Sequence, residues 1–317
     1  MSPVYWREPL PDDHQFSKPA VLDGKAIPPE LLGPLTDTPS PLPAGEVLRA
    51  RLERDGYLLL RGLIDPSDIQ AAREEVFARL GEVGEIAAPT TDGVFSGQSN
   101  RDALYDDRGT FWKSTSEGPA LRAVTNGAAL TQATTAVFGE PSVGFDYLFL
   151  RPVPGGRFTH MHCDAGFFAR ATERVLTCWI AYTEVDLDRG PIFVVEGSHR
   201  FDDIRSRFSG FDVVRNNDRK ASIDEHPADF ARARGARLLT THFRPGDVLV
   251  FGMYTVHGAL EHHASDNRIR LTTDIRYQPA SEPRDPRYFG DNPGGTTGAG
   301  YGELNGARPL TEEWHIR

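Results

Sequence analysis

Ile269-Arg270-Leu271-Thr272-Thr273-Asp274-Ile275-Arg276-Tyr277 alternates apolar with polar residues along its whole length. Successive strand side chains point to opposite faces, so this is a strand with one face in a core and one lined by polar groups. Arg268, Arg270, Thr272, Asp274 and Arg276 share that polar face by parity. Further strands are expected over 175–182, 192–195 and 247–251. Another is expected where Val143, Phe145, Tyr147 and Phe149 alternate with other residues. Short strands separated by glycine and proline turns predict an antiparallel sandwich or barrel.

Ahead of the strands the pattern is helical. Val47, Leu48 and Leu52 lie at helical spacing and Gly56 ends the run, after which 57–60 reads as a short buried strand. Asp65-Pro66 is a helix start, a capping carboxylate followed by proline, continued by Ile69, Ala72, Val76 and Leu80. The polar stretch 90–116 reads as irregular loop over a site, and 119–138 as one helix ending at Gly139. The predicted class is α+β with a mainly β core and flanking N-terminal helices. We expect an extended proline-rich arm over 1–44, a single domain over 45–278, and a glycine- and proline-rich tail over 279–317 packing on it. The charged stretch 200–238 is too long for a hairpin and is expected to be an insertion or lid, helical near 227–236.

The chain has 317 residues, 39% hydrophobic and 25% charged, the composition of a folded soluble protein. No run approaches the ~20 apolar residues of a membrane span. Residues 1–15 carry charge and proline where a secretion signal needs an apolar core, so a cytoplasmic location is expected. Cys163 and Cys178 match no disulfide framework or zinc spacing and read as buried thiols. A net charge of -10 argues against general affinity for nucleic acid or anionic membrane, without excluding a local basic pocket. The expected partner is a small molecule, and oligomeric state is not legible.

The candidate chemistry lies in His160-Met161-His162-Cys163-Asp164. In a strand, residues two apart share a face, so His162 and Asp164 can reach one metal, and imidazole with carboxylate suits Fe(II) rather than copper or a thiolate zinc site. Farther on, Arg244-Pro245-Gly246-Asp247 turns into a strand, and His257-Gly258 follows it. A histidine at a strand end before glycine can project into a cavity. His262 and His263 are rival ligands. Two histidines and one carboxylate would fill one face of an octahedron and leave the rest open. A guanidinium on the 269–277 strand offers a planar fork for a carboxylate, and Thr272 a hydroxyl beside it.

These residues resemble the phytanoyl-CoA dioxygenase family of Fe(II)/2-oxoglutarate oxygenases. The resemblance runs over about residues 46–278. It is carried by Asp55-Gly56-Tyr57, His162-Cys163-Asp164, Gly190-Pro191, Gly197-Ser198-His199, Pro245-Gly246-Asp247, His257-Gly258 and the arginine before Tyr277. It implies a double-stranded β-helix (jelly roll), with iron held by His162, Asp164 and His257, and O2 and 2-oxoglutarate as co-substrates. The arginine that grips 2-oxoglutarate falls on Arg270 counted back from the tyrosine and on Arg268 counted forward from the distal histidine. Arg270 is preferred, because Thr272 then pairs with it. Trp179 looks like the family tryptophan lining the co-substrate pocket, or is a core aromatic. Two positions depart from the family: Ala259 replaces a serine and Arg151 a lysine, which puts co-substrate contacts there in doubt. Family halogenases lack the carboxylate that Asp164 supplies, so the resemblance implies a dioxygenase that hydroxylates a C–H bond and releases succinate and CO2. Desaturation and ring formation stay open. The alternative is a cupin-like metal protein, an isomerase or binding module, that does not use 2-oxoglutarate. Phe167, Phe168, Arg170, Gln98, Ser99 and Asn100 are candidate substrate contacts.

Overall fold

The computed structural model describes residues 16, 19–216 and 220–313. Residues 1–15, 17 and 18 of the expected arm and the last four residues of the expected tail lie outside the described residues. The later part of the arm is built into the body. β1 (Ala20–Leu22) and β2 (Lys25–Ile27) form a hairpin, and β3 (Leu32–Pro34) joins a large sheet. The frequent prolines hid the apolar residues Leu31, Leu32 and Leu35, all of which are buried.

Helix α1 (Gly45–Asp55) stops where Gly56 turns to φ 82°, and there a Cβ would meet the His199 ring at 2.2 Å. Strand β4 (Tyr57–Leu60) follows, then α2 (Pro66–Glu82), whose Asp65 accepts a hydrogen bond from the Ser67 N–H. The stretch expected to be loop, 90–116, instead contains α3 (Arg101–Leu104) and α4 (Arg108–Ser116). Asp107 caps α4 by accepting from Gly109 and Thr110. The α4 core face holds adjacent Phe111 and Trp112 with Thr115 and Ser116, a mixture without a clean apolar stripe. The expected single helix over 119–138 is two, α5 (Pro119–Thr125) and α6 (Ala128–Phe138), divided at Asn126-Gly127.

Glu85 and Arg101 form a fully buried ion pair at 2.6 Å. The same guanidinium donates to the carbonyls of Gly306 and Arg308 and lies 4.7 Å from the Phe111 ring centre. It therefore ties the helical layer to the C-terminal tail. Glu85→Ala strands this cation, and we expect a loss of about 3 kcal/mol in urea denaturation; a change under about 0.5 kcal/mol would contradict it.

The remaining strands are β5 (Ser142–Gly144), β6 (Phe149–Val153), β7 (Thr159–His162), β8 (Leu176–Ala181), β9 (Ile192–Val195), β10 (Leu238–Thr240), β11 (Val248–Gly252), β12 (His257–Ala259) and β13 (Arg270–Pro279). Short helices interrupt them: α7 (Ala165–Phe168), α8 (Asp202–Phe208) and α9 (Pro227–Ala233). The expected strand at 143–149 is broken between β5 and β6. One sheet runs β3-β10-β9-β12-β7, and the other β4-β11-β8-β13-β5, with β6 also on β13. Every pairing in these two sheets is antiparallel except β3 on β10. This is the double-stranded β-helix.

Between the sheets, Tyr57, Leu59, Trp179, Ala181, Ile192, Val194, Leu249 and Phe251 form an inner cluster. Residues of opposite parity (Leu58, Leu60, Cys178, Ile180, Val248, Val250, Leu271 and Ile275) pack in one cluster with the helical residues Ile69, Val76, Leu121 and Leu130. The helices therefore cover the back of one sheet and leave its other face to the interior. Cys163 and Cys178 are buried free thiols. No helix among the described residues is long and apolar enough to cross a membrane.

Candidate metal centre

His162 ends β7 and His257 begins β12, and the two stand opposite each other in the antiparallel ladder. Their ring centres are 4.3 Å apart. Asp164 does not continue the strand as its spacing suggested. It sits in right-handed helical conformation at the head of α7 (φ -78°, ψ -13°), and this turn brings its carboxylate back to the histidines. Oδ1 lies 3.7 Å from His162 Nε2 and 4.0 Å from His257 Nε2. Each ring is fixed through Nδ1, which donates to a backbone carbonyl: His160 at 2.8 Å and Thr255 at 3.0 Å. That bond selects the tautomer whose Nε2 lone pair faces inward, the form a metal requires. One ligand atom from each of His162, Asp164 and His257 lies within 4.8 Å of the others, and all three residues are buried. The rivals are elsewhere. His262 Nε2 meets the Arg268 carbonyl at 2.8 Å, and His263 lies near Asp188.

Asp164 Oδ2 accepts from the Thr177 hydroxyl at 2.5 Å and from Arg276 Nη2 at 3.0 Å. Burial opposes ionisation of Asp164, but Arg276, the two histidines and Thr177 outweigh it and hold the carboxyl well below its usual range. Burial pushes His162 down to about 3, with His257 adding to the effect, and lowers His257 despite Asp164. The donor set is thus neutral imidazole and carboxylate, as metal binding demands. Burial also pushes His262 down to about 4. These three histidines take up fewer protons folded than unfolded. Their contribution to stability is complete above about pH 6.5 and is lost as pH falls toward their folded values. We expect the melting temperature of chelator-treated protein to fall steadily from about pH 6.5 to about pH 4 in calorimetry; a flat profile would contradict it.

A second polar group lies along β13. Arg270, Thr272, Asp274 and Arg276 all turn inward, while Leu271 and Ile275 join the outer cluster. Burial pushes the Arg270 guanidinium down to about 9, with Arg151 adding and Asp274 opposing. Its hydrogen bonds go to backbone carbonyls of Arg189 and Gly190, and its Nε has no partner. The Thr272 hydroxyl is likewise buried without a partner. Asp274, on the same face, is engaged by Arg151. Trp179 pairs across the ladder with Asp274 and packs on Phe243 in the inner cluster. Arg268 is outside the strand and 48% exposed, with its side chain on Asp266 and the Asp92 carbonyl.

Among the candidate substrate contacts, Phe167 lies beside His162, with ring centres 6.3 Å apart, and Phe168 packs on Arg276. Arg170 is committed to Asp212 at 2.6 Å. Gln98 and Asn100 are exposed, and the structure does not bring them to the triad. Gln98 bonds Ser96, the Asn100 N–H reaches the Val83 carbonyl, and Ser99 bonds Glu85. Ligand spacing gives no sign of Thr177, of the role of Arg276 or of the segments that approach α7. Ser222, from the 200–238 insertion, bridges to His162. Arg287, from the tail, donates to the Phe167 carbonyl and lies 3.2 Å from Asp212. Only the polar parity of β13 signalled any of these beforehand.

A jelly roll with two inward histidines, one carboxylate and a buried, carboxylate-hungry arginine defines a class, the non-haem iron oxygenases that use 2-oxoglutarate. The model of the phytanoyl-CoA dioxygenase family matches residues 52–270. The chain belongs to that family. It is 26% identical over 259 residues to the 1-deoxypentalenic acid 11-beta-hydroxylase of Streptomyces arenae, spanning 75% of this chain and 83% of that one. The enzyme of the same name from Streptomyces exfoliatus is 25% identical over 261 residues, with the same coverage. Among solved structures, EctD from S. alaskensis with 2-oxoglutarate and 5-hydroxyectoine superposes with a TM-score of 0.53 at 16% identity, covering 87% of each chain. At that identity the likeness supports the fold.

Proposed function

We propose that His162, Asp164 and His257 hold Fe(II), that Arg270 and Thr272 anchor the distal carboxylate of 2-oxoglutarate, and that the protein hydroxylates a C–H bond of a small organic molecule. Bound there, iron and 2-oxoglutarate would supply an O2-dependent oxidation that releases succinate and CO2. The observation that carries the reading is the pairing of two incomplete sites on one interior. A triad of neutral imidazoles and a carboxylate lies at one place, and a buried guanidinium and hydroxyl with unmet hydrogen bonds lie along the same face of β13. A buried cation without a carboxylate is costly unless a ligand supplies one. A cupin-like protein that does not use 2-oxoglutarate has no need of that arginine.

The chain's own residues then have separate tasks. The backbone carbonyls of His160 and Thr255 orient the imidazoles. Trp179 walls the co-substrate pocket, and Arg151, held by Asp274, stands where the family has lysine. Phe167 and Phe168 shield the metal's flank from water. The named activity of the Streptomyces relatives, 11-beta-hydroxylation of 1-deoxypentalenic acid, favours hydroxylation here over desaturation or cyclisation. We place the protein in the cytoplasm, and treat 45–278 as the catalytic unit, 200–238 as a cover beside the triad and 279–317 as a packing tail. The test is succinate release, with Fe(II), O2 and 2-oxoglutarate, screened over a panel of small acids and natural products. Succinate that depends on iron and rises with one panel member supports the reading. The absence of a visible charge-transfer band on anaerobic addition of Fe(II) and 2-oxoglutarate overturns it.

A further inference from the structure

The two oxygens of Asp164 face different neighbours. Oδ1 faces the histidines, at 3.7 and 4.0 Å from their Nε2 atoms. Oδ2 receives the Thr177 hydroxyl at 2.5 Å and Arg276 Nη2 at 3.0 Å. These two donors are direct cross-strand partners on β8 and β13, so the opposite sheet delivers them as a unit. The Arg276 side chain is 3% exposed, and its guanidinium lies 4.5 Å from the Phe149 ring centre and 4.1 Å from that of Phe168. Those rings fix the plane of the guanidinium. Asp164 needs such a restraint, because it stands at the head of a one-turn helix and no strand register sets the rotation of its carboxylate.

We propose that Arg276, together with Thr177, is a positioning residue that reserves Oδ2 so that Asp164 binds the metal through Oδ1 alone. The inference rests on the triad being the metal site. A carboxylate with both oxygens free can chelate a divalent ion through both. That would occupy a coordination position that the bidentate co-substrate and O2 need. A cation and a hydroxyl on Oδ2 make the two-oxygen mode unfavourable before any co-substrate arrives. Arg276 touches no reacting atom in this scheme; it acts through Asp164.

The test counts waters on bound Mn(II) without 2-oxoglutarate, by the broadening of its electron paramagnetic resonance lines in oxygen-17-enriched water. Wild type is expected to show about three exchangeable waters, the complement of a three-residue facial triad. Arg276→Met, which keeps the stem between the two rings, is expected to lose one of them and to bind 2-oxoglutarate about tenfold more weakly. Arg276→Lys, which restores a cationic donor, is expected to recover the lost water. A merely structural role would lower the melting temperature and leave the count unchanged, and that result overturns the proposal. If Arg276→Met does not fold, Thr177→Val decides: a lost water supports the proposal and an unchanged count overturns it. Wild type that binds no Mn(II) would remove the triad itself, a failure distinct from equal counts in bound proteins.

Discussion

Asp164→Ala is expected to reduce turnover to background and to abolish metal binding, and it is also expected to destabilise the metal-free protein. The first effect follows from losing the anionic member of a triad whose other ligands are neutral imidazoles. The second is not legible in the sequence, where Asp164 stands only as a candidate metal ligand. In the structure it is also the carboxylate partner of Arg276, and both side chains are almost fully buried. Removing it leaves the guanidinium with the Asp274 carbonyl and two ring faces. Breaking a buried pair from one side costs about 3–5 kcal/mol, while replacing both partners with apolar groups is near neutral. Chemical denaturation of chelator-treated protein should therefore show a large loss in Asp164→Ala and recovery of most of it in Asp164→Ala/Arg276→Met, with turnover absent from both. Additive losses in the double variant would show that the pair is not coupled.

The uneven legibility of the site has a physical origin. His162, Asp164 and His257 could be found because ligand chemistry restricts residue type and the motif keeps two of them adjacent. The reason given for that adjacency was only partly right, since β7 ends at His162 and a helical turn, not strand parity, brings Asp164 round. Parity did place Arg270, Thr272, Asp274 and Arg276 on one face, as observed, because β13 is long and regular. It could not say which of them meets metal, co-substrate or acid, since those distances depend on the facing sheet. Arg268 stayed a rival because no pattern marks where a strand begins; β13 starts two residues later. The helices at 101–116 were missed because tertiary contacts with Glu85 and the tail, rather than an apolar stripe, hold them. Nor could the sequence place Gln98 and Asn100, which are exposed on their loop, because a loop's neighbours are set by the whole fold.

Arg270→Met carries the opposite thermodynamic signature, and the contrast separates co-substrate binding from structure. Arg270 is buried, its Nε lacks a partner, and its remaining bonds go to backbone carbonyls, so in the free protein the cation is poorly compensated. Burial pushes it down to about 9 for the same reason. Replacing it with an apolar side chain of similar length should leave the melting temperature of the free protein unchanged or raised. The carboxylate of 2-oxoglutarate then loses its buried, charge-assisted partner, a deficit of about 2–5 kcal/mol. That corresponds to a rise in the KM for 2-oxoglutarate of at least about thirtyfold. Arg270→Lys should fall between, because an ammonium supplies charge without the planar fork. Mn(II) binding should be retained in both, since neither change touches the triad. Arg268→Met, on the exposed side chain two residues earlier, should leave the KM within about twofold of wild type. Added to the Mn(II)-loaded proteins, 2-oxoglutarate at a concentration that saturates wild type should raise the melting temperature of wild type and of Arg268→Met above that with Mn(II) alone, but not that of Arg270→Met. A rise that survives in Arg270→Met and disappears in Arg268→Met would move the anchor to the other arginine. Survival in both would mean that β13 does not hold the co-substrate.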